Sequence, residues 1–201
     1  MNKVISAFIA FLFVAIAISA AEARVTIRET TKFYNIRAKN AQGVFNQISR
    51  NGLMRRGIQH AVATTVIKMK INYTNKVRGR RCVVKDVRVK LTLVYSYPRW
   101  RNIKQSSKSS RKKWRRYYKQ VVRHEKEHGS LAKKMARNVE RSARKLTGRT
   151  SRNCKDLTRK LKRSFNKINR QHDRQQKAFD KREHRRNSHI MKLAREFAHS
   201  N

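Results

Sequence analysis

The hydrophobic period of this chain changes near residue 100, and this change limits the possible fold more than any other feature. Before it, apolar and polar residues alternate from Ile67 to Tyr73 and again from Val87 to Tyr95, as they do in strands with one buried face. After it, apolar residues recur every three or four positions from Tyr117 to Val139, as on one face of a helix. The sequence therefore predicts an α+β fold in which strands come first and long helices follow.

The strand half is expected to form a small antiparallel sheet with a short helix. The two alternating runs flank a polar turn at 74–81 that contains Gly79, a pattern typical of a β-hairpin with one wet, basic face. Upstream, β-branched and aromatic residues predict a strand or a bent pair of strands over 25–36. Residues 40–51 show helical spacing, with Asn40 in position to cap the helix.

The second half predicts two long helices packed on this sheet. Residues 111–147 contain no proline and a single glycine, Gly129, and form the first predicted helix. The second is predicted over 153–199, with its apolar residues on one face. Together with the mainly stranded segment 24–100, these helices are expected to make one domain over 24–201.

The first 23 residues have the features of a cleaved secretory signal peptide. Lys3 precedes an apolar run at 4–20, and Ala21-Glu22-Ala23 has the small-x-small form of a cleavage site. We expect a mature protein in the periplasm or the extracellular space, with no stable membrane insertion after cleavage.

The predicted compartment determines how the two cysteines are interpreted. In an oxidising environment, Cys82 and Cys154 are predicted to form a disulfide. Closing the loop of 154 − 82 = 72 residues would contribute about 4 kcal/mol in the chain-entropy treatment of disulfides. The alternative is a pair of free, buried thiols.

The charge of the chain indicates anionic surroundings or partners. Lys and Arg number 53 against 11 Asp and Glu, for a formal net charge of +42, and such a chain attracts polyanions. No nucleic-acid-binding motif is present. Polyanion binding is therefore expected to be nonspecific and to weaken steeply with salt.

One short motif on the first predicted helix contains residues that can bind a metal ion and transfer a proton. His124 and His128 lie four residues apart within His-Glu-x-x-His, so both imidazoles fall on one helix face and can share a Zn²⁺ ion. Glu125 lies one step around the helix, where it can take a proton from water. The alternative is a basic helix whose two histidines are polar neighbours of the core. Nearby Lys and Arg also oppose a dication unless further anionic ligands are present.

A catalytic zinc site needs a third protein ligand and an open position. Three residues of the second predicted helix are candidates for it, namely His172, Glu183 and His184. Spacing along the chain does not choose among them.

A series of short motifs runs through the whole mature chain. In order, they are Tyr34-x-Ile36, Cys82-x-Val84-x-x-Val87-x-Val89-x-Leu91, Tyr95-x-x-Pro98-Arg99-Trp100, Trp114, His124-Glu125-x-x-His128, Cys154 and Phe179-Asp180. This order resembles the domain of unknown function 922 family, whose members are predicted secreted zinc-dependent proteases. The resemblance implies a zincin-like domain over 24–201.

The end of the chain departs from the usual ending of that family. The family has an aromatic-Asp pair followed by Thr and then His-Gly, whereas Phe179-Asp180 is followed here by a segment, 181–186, without Thr or Gly. The resemblance therefore implies His184, serving from a shifted position, as the third zinc ligand, or Glu183 in its place.

These observations lead to a hypothesis with two alternatives. The chain is expected to be a secreted zinc-dependent hydrolase, a metallopeptidase with Glu125 as general base. Its expected substrates are peptides or proteins, anionic ones included. The first alternative is a secreted polycation that binds an anionic envelope polymer or nucleic acid. The second is a relative that binds zinc and has lost activity.

Overall fold

The computed structural model describes residues 23–55 and 58–200, and its fold is α+β as predicted. Almost all of the predicted signal peptide, 1–23, lies outside the described residues. The strands are β1 (Ala23–Ile36), β2 (Leu53–Arg55), β3 (Ile58–Ala61), β4 (Thr64–Arg78), β5 (Arg81–Trp100) and β6 (Thr150–Ser151). The helices are α1 (Ala41–Asn51), α2 (Lys108–Arg144), α3 (Cys154–Glu183) and α4 (His189–Ala198), with a 3₁₀ turn at Ile103–Gln105.

The main sheet has the order β1-β5-β4, with the short β6 beside the start of β5. The hairpin of β4 and β5 is antiparallel, as predicted. β1 pairs with β5 in parallel, so the sheet is mixed rather than antiparallel throughout. Separately, β2 and β3 form a two-stranded antiparallel sheet.

The two faces of the main sheet have different surroundings because side chains alternate along a strand. Odd-numbered residues of β5 from Val87 to Tyr97 are buried, and those from Val89 onward pack with apolar residues of α2 in the main core. Even-numbered Arg88 and Lys90 are exposed on the opposite face. This is the wet, basic face that the hairpin pattern predicts.

Helix α2 begins where Ser107 caps it, three residues before the predicted start. The Ser107 side chain accepts a hydrogen bond from the Ser110 backbone N–H, which satisfies one of the free donors of the first turn. Trp114 and Tyr117 on this helix pack against Phe197 of α4. This aromatic cluster fixes the first half of α2 on the rest of the domain.

The prediction of one continuous helix over 153–199 is wrong, because the helix stops at Glu183 and a new one starts at His189. Ser188 causes the break in two ways. Its side chain caps α4 at the Met191 N–H, and its hydroxyl donates to the Glu183 carbonyl. The turn brings Phe197 back onto the core, where it is fully buried.

The predicted disulfide is confirmed between Cys82 and Cys154. It ties the start of β5 to the start of α3, where Val84, Leu157 and Leu161 form a second, smaller core. Such a bond is typical of proteins in an oxidising compartment. Among the described helices, none combines the length and the apolar character that crossing a membrane requires.

Candidate metal centre

Three potential metal ligands from two helices meet in the interior. His124 and His128 are 7% and 2% exposed on α2, and their Nε2 atoms lie 3.1 Å apart. On α3, the Asp180 Oδ1 lies 2.9 Å from the His128 Nε2 and 3.4 Å from the His124 Nε2. Tetrahedral zinc with bonds of about 2.0–2.1 Å places its ligand atoms about 3.3 Å apart. The triangle of these three atoms, the ligand triad, therefore has the size of a zinc ligand set.

The neighbour of Asp180 explains why this acid reaches the histidines. Phe179 is buried, and its ring centroid lies 4.7 Å from that of His124 and 5.1 Å from that of His128. Burial of this ring holds α3 against α2 through the apolar contact of a large aromatic side chain. The next residue then lies beside the same two histidines.

The surroundings of His128 favour a positive charge. Burial has the largest single effect on the pKa of His128 and acts to lower it. The hydrogen bonds to Asp180 and Gln176 and the charges of Asp180 and Glu125 act in the opposite direction. Together they outweigh burial and raise the pKa of His128 above its ordinary value. The same negative groups that stabilise an imidazolium also stabilise a metal cation. The residues present therefore fit a divalent metal in both geometry and charge.

Behind the ligand triad, Gln176 fixes the orientation of His128. The Oε1 of Gln176 accepts a hydrogen bond from the His128 Nδ1, and its Nε2 donates to the main-chain oxygen of His128 at 3.1 Å. The Nε2 of Gln176 also lies 2.8 Å from the His172 Nε2. In a neutral His128 ring, the proton is thus on Nδ1 and the Nε2 lone pair faces the triad.

An acidic side chain lies near the His124 ring nitrogen that points away from the ligand triad. The Nδ1 of His124 is buried, with no hydrogen-bond partner among the described residues, and the Glu183 Oε2 lies 3.9 Å away. Glu183 also forms an ion pair with Arg123 at 3.2 Å. A carboxylate behind a histidine ligand is a common means of orienting the ring.

Glu125 turns from the ligand triad toward the sheet. It is 4% exposed, and Thr65 at the start of β4 donates a hydrogen bond from Oγ1 to its Oε2 over 2.6 Å. Because an ionised carboxylate needs such a donor when it is buried, Thr65 holds the acid in one orientation.

A cavity of about 540 Å³ opens beside these groups, between β4, α2 and α3. Asp180 and Thr65 lie in its wall, so that both the triad and the contact that holds Glu125 border the same space. The apolar part of the wall consists of Ile67, Met69 and Met135. The remaining lining residues are polar or charged, so the cavity suits a polar group of a substrate.

The three sequence candidates for the third ligand all lie close to the triad but in other positions. His184 is exposed, with its Nδ1 2.9 Å from the Asp180 carbonyl oxygen and its ring centroid 5.4 Å from that of His124. His172 and His128 both contact the Gln176 side chain, and the Glu183 carboxylate lies 3.9 Å from the His124 Nδ1.

The sequence indicated His172, Glu183 and His184 and missed Asp180 as a ligand, because spacing along the chain does not show which residue of the second helix faces the motif histidines. The available signal was an acidic residue next to Phe179 on the apolar face of a very basic helix.

The comparisons with known proteins identify a family. A family model described as a bacterial protein of unknown function (DUF922) matches residues 31–189. No curated protein sequence and no solved structure matches the chain.

Proposed function

The chain belongs to the family of bacterial proteins of unknown function DUF922, and we propose that it is a zinc-dependent hydrolase that cleaves peptide bonds outside the cytoplasm. One observation carries the proposal: His124, His128 and Asp180 converge next to a cavity that Asp180 lines, and the acid Glu125 lies on the same helix, held by Thr65 in the wall of that cavity. Three protein ligands with a neighbouring general base are the arrangement of a catalytic rather than a structural zinc site.

The distribution of acidic residues supports a metal at this place. The chain has only 11 Asp and Glu, yet Glu125, Asp180 and Glu183 all lie at or directly beside the two histidines. They supply the anionic groups that the surrounding Lys and Arg make necessary for binding a dication.

Each residue of the site has a role in the proposed hydrolysis. When bound, zinc would supply the Lewis acidity that polarises a substrate carbonyl and lowers the pKa of water toward neutrality. Glu125 would take the proton of the attacking water and then give it to the departing amine, so that the proton count balances. Thr65 would hold Glu125 through Oε2, and Gln176 would keep the His128 Nε2 directed at the metal.

The net charge and the disulfide support the rest of the proposal. A charge of +42 favours anionic peptides or peptides attached to an anionic polymer as substrates. The Cys82–Cys154 bond is consistent with export from the cytoplasm. A secreted polycation without metal chemistry and an inactive zinc-binding relative are the competing proposals.

Variants of the motif separate these three proposals. His124→Ala removes a ligand, so bound zinc should fall well below one ion per chain and hydrolysis should stop. Glu125→Gln keeps the ligands but cannot accept a proton, so zinc should stay while turnover of a peptide substrate falls by roughly 10²–10⁴-fold. Zinc is measured by elemental analysis, and Glu127→Gln, an exposed change within the same motif, is the matched control.

The possible results point to different functions. If the wild-type protein binds no zinc in the presence of micromolar Zn²⁺, both zinc proposals are contradicted. That result would support the proposal of a secreted polycation without metal chemistry. If the wild-type protein binds zinc but hydrolyses no peptide, and Glu125→Gln behaves like the wild type, the proposal of an inactive zinc-binding relative is supported.

A further inference from the structure

The sheet has a strongly basic side that the metal centre does not use. We call the side of β1, β5 and β4 that is turned away from α2 the outer face. Strand register places seven basic residues on it: Arg24, Arg28 and Lys32 of β1, Lys68 and Lys70 of β4, and Arg88 and Lys90 of β5. Among the described residues, the acid in register with this face is Asp86, which lies at its far end opposite Thr74.

Several of these cations are placed directly against one another. Lys70 and Lys90 are register partners in neighbouring strands, and like charges in that position destabilise a sheet. Lys68, Lys70, Arg88 and Lys90 form no ion pair with a described residue.

The opposite side of the sheet shows the contrast. There, Lys126 and Lys133 lie 3.8 Å and 2.6 Å from the carboxylate of Glu29. Lys126 and Lys133 of α2 are thus neutralised by an acid of the sheet, whereas Lys68, Lys70, Arg88 and Lys90 are free to bind an external anion.

An apolar pair lies beside the cations of the outer face. Val66 is 43% exposed and is the register partner of Val94. The two valines follow the row of Lys68 and Arg28, and Lys32 lies in the next row beyond them. The tyrosines of β4 and β5, which could stack on nucleic acid bases, occupy inner-face positions instead (Tyr73, Tyr95 and Tyr97). An exposed apolar pair next to long cationic side chains fits the boundary between headgroups and acyl chains better than it fits a polar polymer.

We propose that the outer face docks on the surface of an anionic phospholipid bilayer, with the cations on lipid phosphates and the valine pair at the interface. In this orientation the cavity beside Asp180, on the helical side of the sheet, stays open to substrate. The docking does not depend on metal or on catalysis, so it can fail or hold independently of the proposed hydrolysis.

Vesicle binding tests the docking face. The exported protein, with its N-terminus determined by mass spectrometry, is titrated with vesicles of phosphatidylglycerol and phosphatidylcholine and with phosphatidylcholine vesicles alone. We expect binding to the anionic vesicles that weakens with salt. Since each cation near an anionic membrane contributes about 1 kcal/mol, replacing Lys68, Lys70, Arg88 and Lys90 by Gln should weaken binding on the order of 1,000-fold.

The matched control removes the same charge from another exposed surface. Lys155, Arg159, Lys162 and Arg163 lie on the exposed side of α3, and replacing all four by Gln should change vesicle affinity by only a few fold. Equal losses in the two quadruple variants would overturn the proposal, because net charge alone would then explain the binding. Circular dichroism and the unfolding midpoint show that both variants fold, as expected for exposed changes that relieve repulsion.

A change at the valine pair separates a lipid surface from a soluble polymer. Val66→Asn should weaken binding to anionic vesicles several fold and leave binding to heparin, a soluble polyanion, unchanged. If Val66→Asn alters neither, or if wild-type protein prefers heparin to anionic vesicles, the lipid assignment is wrong and a polymer is the partner.

Discussion

At the level of single residues, Asp180 and His184 lie one helical turn apart, and in the structure it is Asp180 that reaches both motif histidines. Asp180→Asn keeps the size of the side chain but removes its charge, so metal affinity should fall by orders of magnitude. His184→Ala should weaken binding by only a few fold, because its Nδ1 is engaged with the Asp180 carbonyl. Zinc affinity is measured by competition with a chelator of known strength.

The control for this comparison is Asp173→Asn. Asp173 lies on the same helix and borders the same cavity, so the variant loses the same charge without losing a ligand and should bind zinc almost normally. A larger loss in His184→Ala than in Asp180→Asn would show that His184 moves in to become the third ligand, as the family resemblance implies.

Gln176 offers a test of the layer behind the ligands. Gln176→Met removes the acceptor for the His128 Nδ1 with little change in volume, and loss of such a partner lowers metal affinity about 10–100-fold. Gln176→Glu keeps an acceptor at that place but loses the donor to the His128 carbonyl, so it should retain more zinc affinity than Gln176→Met and less than wild type. Gln175→Met, one position along α3, is the control. Equal zinc affinity in Gln176→Met and wild type would mean that the bond does not orient His128.

The sequence could identify part of this site and not the rest. His124, Glu125 and His128 follow from spacing within one helix, which is a local property. Asp180 and Thr65 come from α3 and β4, and their positions beside α2 depend on how the helices and the sheet pack. That packing depends on buried contacts such as those of Phe179, which no local pattern specifies.

At the level of elements, the contact of α2 with β5 explains the one glycine in the motif helix. A Cβ at Gly129 would overlap the Tyr95 hydroxyl and lie 3.2 Å from its Cε1. Gly129→Ala gains about 1 kcal/mol of helix propensity, but overpacking outweighs it, and we expect a net loss of about 1–2 kcal/mol in the free energy of unfolding. Denaturant unfolding measures this.

The same change in a Tyr95→Phe background removes the overlapping hydroxyl. Most of the loss should then disappear, as a double-mutant cycle would show. Ser130→Ala, on the exposed side of α2, is the neutral comparison. If Gly129→Ala destabilises the protein equally in both backgrounds, the overlap with the hydroxyl is not the cause.

Helices and hairpins that are determined by residues close together in the sequence could be predicted. Pairings and breaks that are determined by residues far apart in the sequence could not. The β4–β5 hairpin and α1 with its Asn40 cap follow from alternation and capping chemistry. The parallel pairing of β1 with β5 joins segments that are separated by α1 and three strands. The break between α3 and α4 needs Ser188 to bond with Glu183 and Met191 at once, which helical periodicity alone does not reveal.

At the level of the whole molecule, positive and negative side chains occupy different regions of the structure. Cations cover the outer face and the exposed sides of the long helices, whereas three of the few acids surround the candidate metal centre. A negative site within a positive molecule can attract anionic substrates over long distances and still bind a metal cation locally. The proposed hydrolysis and the proposed membrane docking thus use opposite parts of one charge distribution.

The same imbalance predicts how stability responds to salt. With a net charge of +42, repulsion between cations should exceed the attraction within the exposed ion pairs, which contribute little. Raising ionic strength from about 0.01 M to about 0.1 M shortens the screening length from about 30 Å to about 10 Å, so the unfolding midpoint should rise. For a domain of this size, each 1 kcal/mol of relieved repulsion corresponds to about 2–4 °C.

Calorimetry of wild type and of the outer-face quadruple Gln variant, at both ionic strengths, measures this response. The variant should start from a higher midpoint at low salt and gain less from added salt, because the Lys70–Lys90 pair and its neighbours no longer repel one another. A midpoint that falls with salt in the wild type would show instead that attractive pairs, such as Glu29 with Lys133, dominate the electrostatic energy. Equal salt responses in both proteins would place the repulsion outside the sheet, on the long helices.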